Sequence, residues 1–175
     1  LHLASICGGT DIVSCFMLGN PWMPVYAGEI QAAGLGMAVD CWSDEGKSLR
    51  GQKGELGCVS PFPAMPIGFW NDGDGSHYRE SYFSYFPQTE VWRHGDFIEI
   101  KDDGGIVVYG RSDATLNPGG IRIGTAEIYR QVEQLPEILD SLAVSHDKEG
   151  DPEMLLFVKL QSGESLTGDL KKKIA

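Results

Sequence analysis

The sequence predicts an α+β protein, with an antiparallel, barrel-like β part followed by the start of a small α/β layer. Three observations carry this. Between Tyr26 and Val59 the chain is written in short β-like pieces, EIQAAG, GMAVDCW and GELGCVS, separated by glycine-bearing turns such as DEGKSLRGQKG. The stretch VWRHGDFIEIKDDGGIVVYGR then reads as a hairpin, with its turn at Asp102 to Gly105. After Arg111 the pattern changes: Ile128, Val132 and Leu135 fall at i, i+4 and i+7, and two strand-like pieces follow, SLAVSHD and EMLLFVKL. Helix, strand, strand is a separate layer, so the boundary is set near Ser112 and Asp113, giving segments 1–112 and 113–175.

The elements can be justified in order. DIVSCFMLG is a short apolar run bounded by Asn20 and Pro21, too short for periodicity to decide between strand and helix. The glycine-punctuated pieces up to Val59 suggest a small barrel or sandwich. PFPAMPIGFWNDGDG alternates proline and glycine too densely for any regular element and reads as a loop. The aromatic cluster Tyr82, Phe83, Tyr85 and Phe86 has no adjacent Lys or Arg to suggest base stacking and reads as core or loop packing. The hairpin has strands through Phe97 to Ile100 and Ile106 to Tyr109. In the following helix Thr125 is the candidate N-cap, Glu127 sits in the first turn, and Pro136 ends the run. A last helix begins near Leu166. LHLASICGG at one end and KKKIA at the other both read as cuts within a longer protein.

Composition narrows the function classes. The formal net charge is −11 and 42% of residues are hydrophobic, ordinary for a globular chain and unlike one that coats nucleic acid or anionic lipid. No apolar run is long enough to span a membrane as a helix. Cys7, Cys15, Cys41 and Cys58 form no C-x-x-C pair and have no His at zinc-finger spacing, so they read as reduced, mostly buried thiols of a cytoplasmic protein.

Against this acidic background, GRSDATLNPGGIRIGTAEI holds two fixed positive charges, Arg111 and Arg122, around the flexible pair Gly119 and Gly120. Arginine presents a planar fork matched to phosphate or carboxylate, and glycine lets a backbone approach closely, so an anion site is one reading and a surface turn the other. Gly8-Gly9-Thr10-Asp11 puts a hydroxyl and a carboxylate side by side, able to offer one hydrogen bond to a phosphate oxygen and one ligand to Mg²⁺; many such loops serve turn geometry alone. Asp96 in HGDF could accept from both hydroxyls of a ribose or be a solvated strand end.

The order of these motifs, with SICGGTDIVSCF, FWNDGDGSHYRESYFSYFP and VWRHGDF, resembles the adenylate-forming acyl-CoA synthetase superfamily, and most closely its acetoacetate-activating branch. The resemblance covers nearly the whole chain. It implies the C-terminal part of a large adenylation domain followed by the first part of a mobile small domain. It also implies a two-step ligase that uses acetoacetate or a similar carboxylate, ATP and coenzyme A. Gly9 and Thr10 would meet the phosphate, and Asp11 would help to hold Mg²⁺. Asp96 would grip the ribose, and Arg111 the ribose or phosphate edge of ATP or AMP. Asp113 matches the hinge position. Gly119 and Gly120 would line the pantetheine passage, and Arg122 would approach a phosphate in one conformation. A ligase for another short acid, or a catalytically silent nucleotide-binding module, are the alternatives. The family's phosphate loop and its late lysine are expected outside these 175 residues.

Overall fold

The computed structural model of the chain describes residues 3–87, 89–114, 123–148 and 151–174. They fall into two compact units, Leu1–Val108 and Tyr109–Ala175. The expected α+β class holds. Among the described residues, however, the antiparallel strands of the first part form two open sheets, not a closed barrel.

The first sheet has the order β1-β2-β3, with β1 at Cys7–Gly9, β2 at Ser14–Leu18 and β3 at Ala32–Ala33. The ambiguous apolar run is therefore a strand, with Phe16 and Met17 fully buried. Of EIQAAG only two residues pair with β2, because the segment is shared between partners. Ile30 exchanges two backbone hydrogen bonds with Ile106, at 2.8 and 2.9 Å, while Ala32 and Ala33 face Leu18 and Met17. Gln31 lies between them, buried. Its amide donates to the carbonyls of Asn20, Met23 and Pro24 at 2.9, 2.7 and 3.1 Å, which ties down the loop after Asn20.

The second sheet runs β4-β5-β6-β7, with β4 at Val39–Trp42, β5 at Lys53–Cys58, β6 at Trp92–Ile100 and β7 at Ile106–Arg111. The hairpin expected from Asp102 to Gly105 is present, closed by Lys101 N–H donating to the Gly105 carbonyl at 2.9 Å. Buried on β5, Glu55 meets Arg93 of β6, Nε to Oε1 at 3.3 Å and Nη2 to Oε2 at 3.4 Å, and the Arg93 guanidinium lies 4.1 Å above the Tyr85 ring. This pair is stabilised only together: either charge alone would be costly in that interior.

Between these strands, NDGDG starts a helix. In α1, Ser76–Tyr82, the Asp72 carboxylate accepts from the backbone N–H groups of His77 and Tyr78 at 3.1 and 2.8 Å. Asp74 accepts from Ser76 N–H at 3.1 Å. Two carboxylates thus satisfy donors that a first turn leaves open. The helix lays Tyr78 and Tyr82 against the core formed by Phe16, Phe62, Leu56, Ile98 and Trp92. Full burial of each large apolar side chain contributes roughly 1.5–3 kcal/mol. The aromatic cluster is packing, as expected. The cysteines divide evenly: Cys41 and Cys58 are buried, but Cys7 and Cys15 only partly, because they flank the turn that carries GGTD.

In the second unit a short 3-10 turn, Ser112–Ala114, leads to α2 at Thr125–Val132, β8 at Ile138–Lys148, β9 at Asp151–Leu160 and α3 at Gly168–Ile174. Thr125 is the first helical residue and not the cap. Gly124 holds that place, its N–H donating to the Glu127 carboxylate at 3.3 Å, and Thr125 is buried. A Cβ at Gly124 would come within 2.3 Å of the Tyr109 carbonyl, so only glycine fits where the chain passes so near. The helix packs on β8, where Tyr129 Oη accepts from Ala143 N–H at 3.3 Å. Thr167 caps α3 through Leu170 N–H at 3.2 Å.

Asp40, a carboxylate at the sheet edge, should make the stability of the fold depend on pH. Burial alone would raise Asp40, but hydrogen bonds from Arg50, Trp42 and Ser48 outweigh it and hold its carboxyl below the usual carboxylate range. A depressed folded pKa adds stability above the unfolded value and loses it as pH falls through the folded one. Arg50→Ala should therefore cost at most about 1 kcal/mol at neutral pH, because Arg50 is half exposed, and the gap to wild type should close on acidification below the carboxylate range. Urea denaturation at a series of pH values checks this; a gap that widens in acid would contradict it.

Candidate functional site

The GGTD motif runs from the end of β1, Gly8 and Gly9, into the hairpin turn to β2, and that turn begins with Thr10 and Asp11. Val13 N–H donates to the Thr10 carbonyl at 3.1 Å and closes it. Ile12 is fully buried and pins the turn into the core, which leaves Thr10 and Asp11 exposed on the outside. The chain turns back through Val13, whose φ is +47°. A β-branched residue seldom adopts that conformation, and it costs on the order of 1–3 kcal/mol. Backbone strain is therefore stored two positions after Asp11, in the turn that carries the two residues singled out for phosphate and cation binding.

The two glycines have a packing duty of their own. A Cβ at Gly8 would stand 2.2 Å from the Ser14 carbonyl oxygen, and one at Gly9 would stand 2.9 Å from His94 Cε1. Only a bare backbone lets β1 lie between β2 and the His94 ring. That ring is edge-on to Phe16, with centroids 4.7 Å apart.

HGD is shaped by an irregularity in β6. The pairing shifts opposite Glu55 and Gly57, and Gly95 takes φ +84°, a left-handed conformation that favours glycine. The result is that His94 Nε2 and Asp96 Oδ2 lie 3.6 Å apart. Cys7 Sγ of β1 reaches the same carboxylate oxygen at 3.6 Å. Asp96 is 9% exposed, which is deep for a carboxylate, and lies at the seam between β1 and β6. The GGTD turn and the HGD strand, more than eighty residues apart in sequence, are thus brought together.

Asp11 has a partner that local spacing does not reveal. The Tyr82 hydroxyl of α1 donates to Asp11 Oδ2. Tyr82 is itself stacked on Trp92, with centroids 3.7 Å apart and planes 13° from parallel. Only the aromatic density around Tyr82 hinted at this, and that density reads equally well as plain packing.

Asp11 and the Thr10 hydroxyl are hard oxygen donors of the kind Mg²⁺ takes. Among the described residues no three His, Cys, Asp or Glu side chains are grouped to hold an ion by themselves. A single exposed carboxylate fits a cation that takes its other ligands from water and substrate phosphate.

In the second unit, Arg111 directs its fork at Asp113, Nε to Oδ1 and Nη2 to Oδ2, both at 3.3 Å. Both side chains are at least half exposed. Gly119, Gly120 and Arg122 lie outside the described residues.

No protein-family model matches the chain. Over 99% of its length it is 60% identical to an acetoacetyl-coenzyme A synthetase of Rhizobium meliloti (strain 1021), of which it covers 26%. It is 53% identical, over 98% of its length, to the acetoacetyl-CoA synthetase of Gallus gallus, again covering 26% of that protein. Among solved structures, the acetoacetyl-CoA synthetase from Streptomyces lividans superimposes with a TM-score of 0.88 at 46% identity, over 98% of this chain and 25% of that one. The chain spans about a quarter of the length of the relatives it matches.

The strained turn gives a direct test. Val13 is 89% exposed, so replacing it loses little packing, and asparagine tolerates the left-handed region. Val13→Asn should raise stability by about 1 kcal/mol, read as a higher urea midpoint. A lower midpoint would mean that the turn holds no strain.

Proposed function

We propose that the protein carrying this chain is an adenylate-forming acyl-CoA synthetase, an ATP-dependent acid–thiol ligase that makes acetoacetyl-CoA from acetoacetate, ATP and coenzyme A. Residues 1–112 are read as the C-terminal part of the large adenylation domain and 113–175 as the first part of the small one. The observation that carries the reading is the seam of β1 and β6, where the GGTD turn and Asp96 come together.

Two displacements make up the reaction. The acetoacetate carboxylate attacks the α-phosphorus of ATP, and pyrophosphate leaves. The coenzyme A sulfur then attacks the acyl carbon of the adenylate as its thiol proton is lost, and AMP leaves with the bonding pair. Chemistry of this kind needs positioned reactants and stabilised charge more than covalent help from the protein. Thr10 donates its hydroxyl to a phosphate oxygen, and Gly9 leaves room beside it. Asp96 accepts from the ribose hydroxyls and so fixes the nucleotide by its sugar. Asp11 holds Mg²⁺, which neutralises phosphate charge when bound.

Arg111 reaches the ribose or phosphate edge, and Asp113 is the hinge about which the small domain swings between half-reactions. The Arg111–Asp113 fork favours this reading: a guanidinium already parked on a carboxylate is preset for an anionic partner. Gly119 and Gly120 form the passage for the pantetheine arm, and Arg122 meets a phosphate after the swing. Because the two arginines act at different times, the acidic net charge does not oppose them. Four free cysteines suit a cytoplasmic location, and no helix among the described residues is long and apolar enough to cross a membrane.

Pyrophosphate exchange by the full-length protein against a panel of short carboxylic acids tests the assignment. Exchange should depend on acetoacetate; strong preference for another acid would reassign the substrate, and no exchange with any acid would leave a silent nucleotide-binding module. Asp96→Ala should weaken ATP binding at least tenfold in a calorimetric titration, because a charge-assisted hydrogen bond contributes roughly 1.5–3 kcal/mol. Unchanged affinity would remove Asp96 from the site.

A further inference from the structure

Asp11 stands on an exposed turn, where a carboxylate ordinarily rotates through several positions. Here one of its oxygens is held from a distance of 71 residues by the Tyr82 hydroxyl. The tyrosine cannot move freely. Its ring is stacked on Trp92, which is 1% exposed, and meets Phe69 and Tyr78 edge-on at centroid distances of 5.9 and 5.8 Å. A rigid aromatic column thus runs from the core to the one exposed carboxylate of the GGTD turn.

Building on the ligase reading, we infer that Tyr82 is a positioning residue for the cation site: its hydroxyl fixes Asp11 Oδ2, so that the other carboxylate oxygen is presented to the Mg²⁺ bound with ATP. A phenol can do this without displacing the cation. It supplies one donor, and an ionised carboxylate has acceptor capacity to spare. Groups that orient a metal-binding carboxylate commonly tune affinity by tenfold or more when removed. The column also links cation binding to the fold, since Trp92, on which Tyr82 stacks, is a core residue.

The test uses the full-length protein and Mn²⁺ as the probe, with free Mn²⁺ followed by electron paramagnetic resonance in the presence of ATP. Tyr82→Phe keeps the ring and removes only the donor. It should raise the Mn²⁺ dissociation constant roughly tenfold. The Mg²⁺ concentration for half-maximal pyrophosphate exchange should rise by a similar factor, with the rate at saturating Mg²⁺ and the melting midpoint retained. In an Asp11→Asn background the same change should add nothing.

Tyr78→Phe is the control, because the Tyr78 hydroxyl belongs to the same aromatic group but donates to the Pro66 carbonyl at 2.6 Å. It should leave Mn²⁺ affinity alone. Equal affinity in wild type and Tyr82→Phe would overturn the inference while leaving the ligase reading intact. So would an equal loss in Tyr78→Phe, or an additive effect with Asp11→Asn. A wild-type protein that binds no Mn²⁺ with ATP would overturn the inference and the cation site together.

Discussion

The first unit depends on one indole. Trp92 enters β6 at its first residue and is met by Phe62 at 5.4 Å, Phe83 at 5.7 Å, Phe16 at 6.3 Å and Tyr82 at 3.7 Å between ring centroids. These partners come from β2, from the proline-rich loop and from α1 with its following turn. Phe16 and Phe62 are distant in the chain, so the contacts around Trp92 fix relations that no local hydrogen-bond ladder could. Such edge and stacked pairs contribute roughly 0.5–1.5 kcal/mol each beyond the area they bury.

Two residues further along β6 the same constraint becomes chemical. His94 packs on Phe16 and closes over Gly9, and Asp96 then emerges beside Cys7. The bulge at Gly95 decides which way these side chains point. Arg93 departs to the other side, where it meets the buried Glu55. A single strand therefore supplies a core anchor, a buried ion pair and the carboxylate assigned to the ribose within five positions, and their alternation across the sheet separates these tasks.

How much of this was legible in the sequence follows from range. The hairpin around Asp102 to Gly105 and the helix carrying Ile128 and Val132 are written in local periodicity and turn chemistry, and the structure has them. The α1 helix was hidden because the carboxylates that meet its first N–H groups, Asp72 and Asp74, belong to a glycine-rich string that looks like pure loop. The two-residue β3 was over-read, since nothing local says that Gln31 turns aside to hold the Asn20 loop. At the candidate site, the residue types were readable from motif order, but the Tyr82 contact with Asp11 joins positions 71 apart, and away from the site the Arg93 contact with Glu55 joins positions 38 apart. Only packing creates such pairs.

The left-handed valine behind Asp11 has a bearing on how such a protein can change. Natural sequences rest only slightly above the stability they need, and substitutions that relax strain are easily found. Here relief is available at a solvent-facing position that touches little else, directly beside the groups assigned to chemistry. Laboratory evolution that selects for heat resistance alone would drift toward that position. It would collect robust variants whose loop has lost its set.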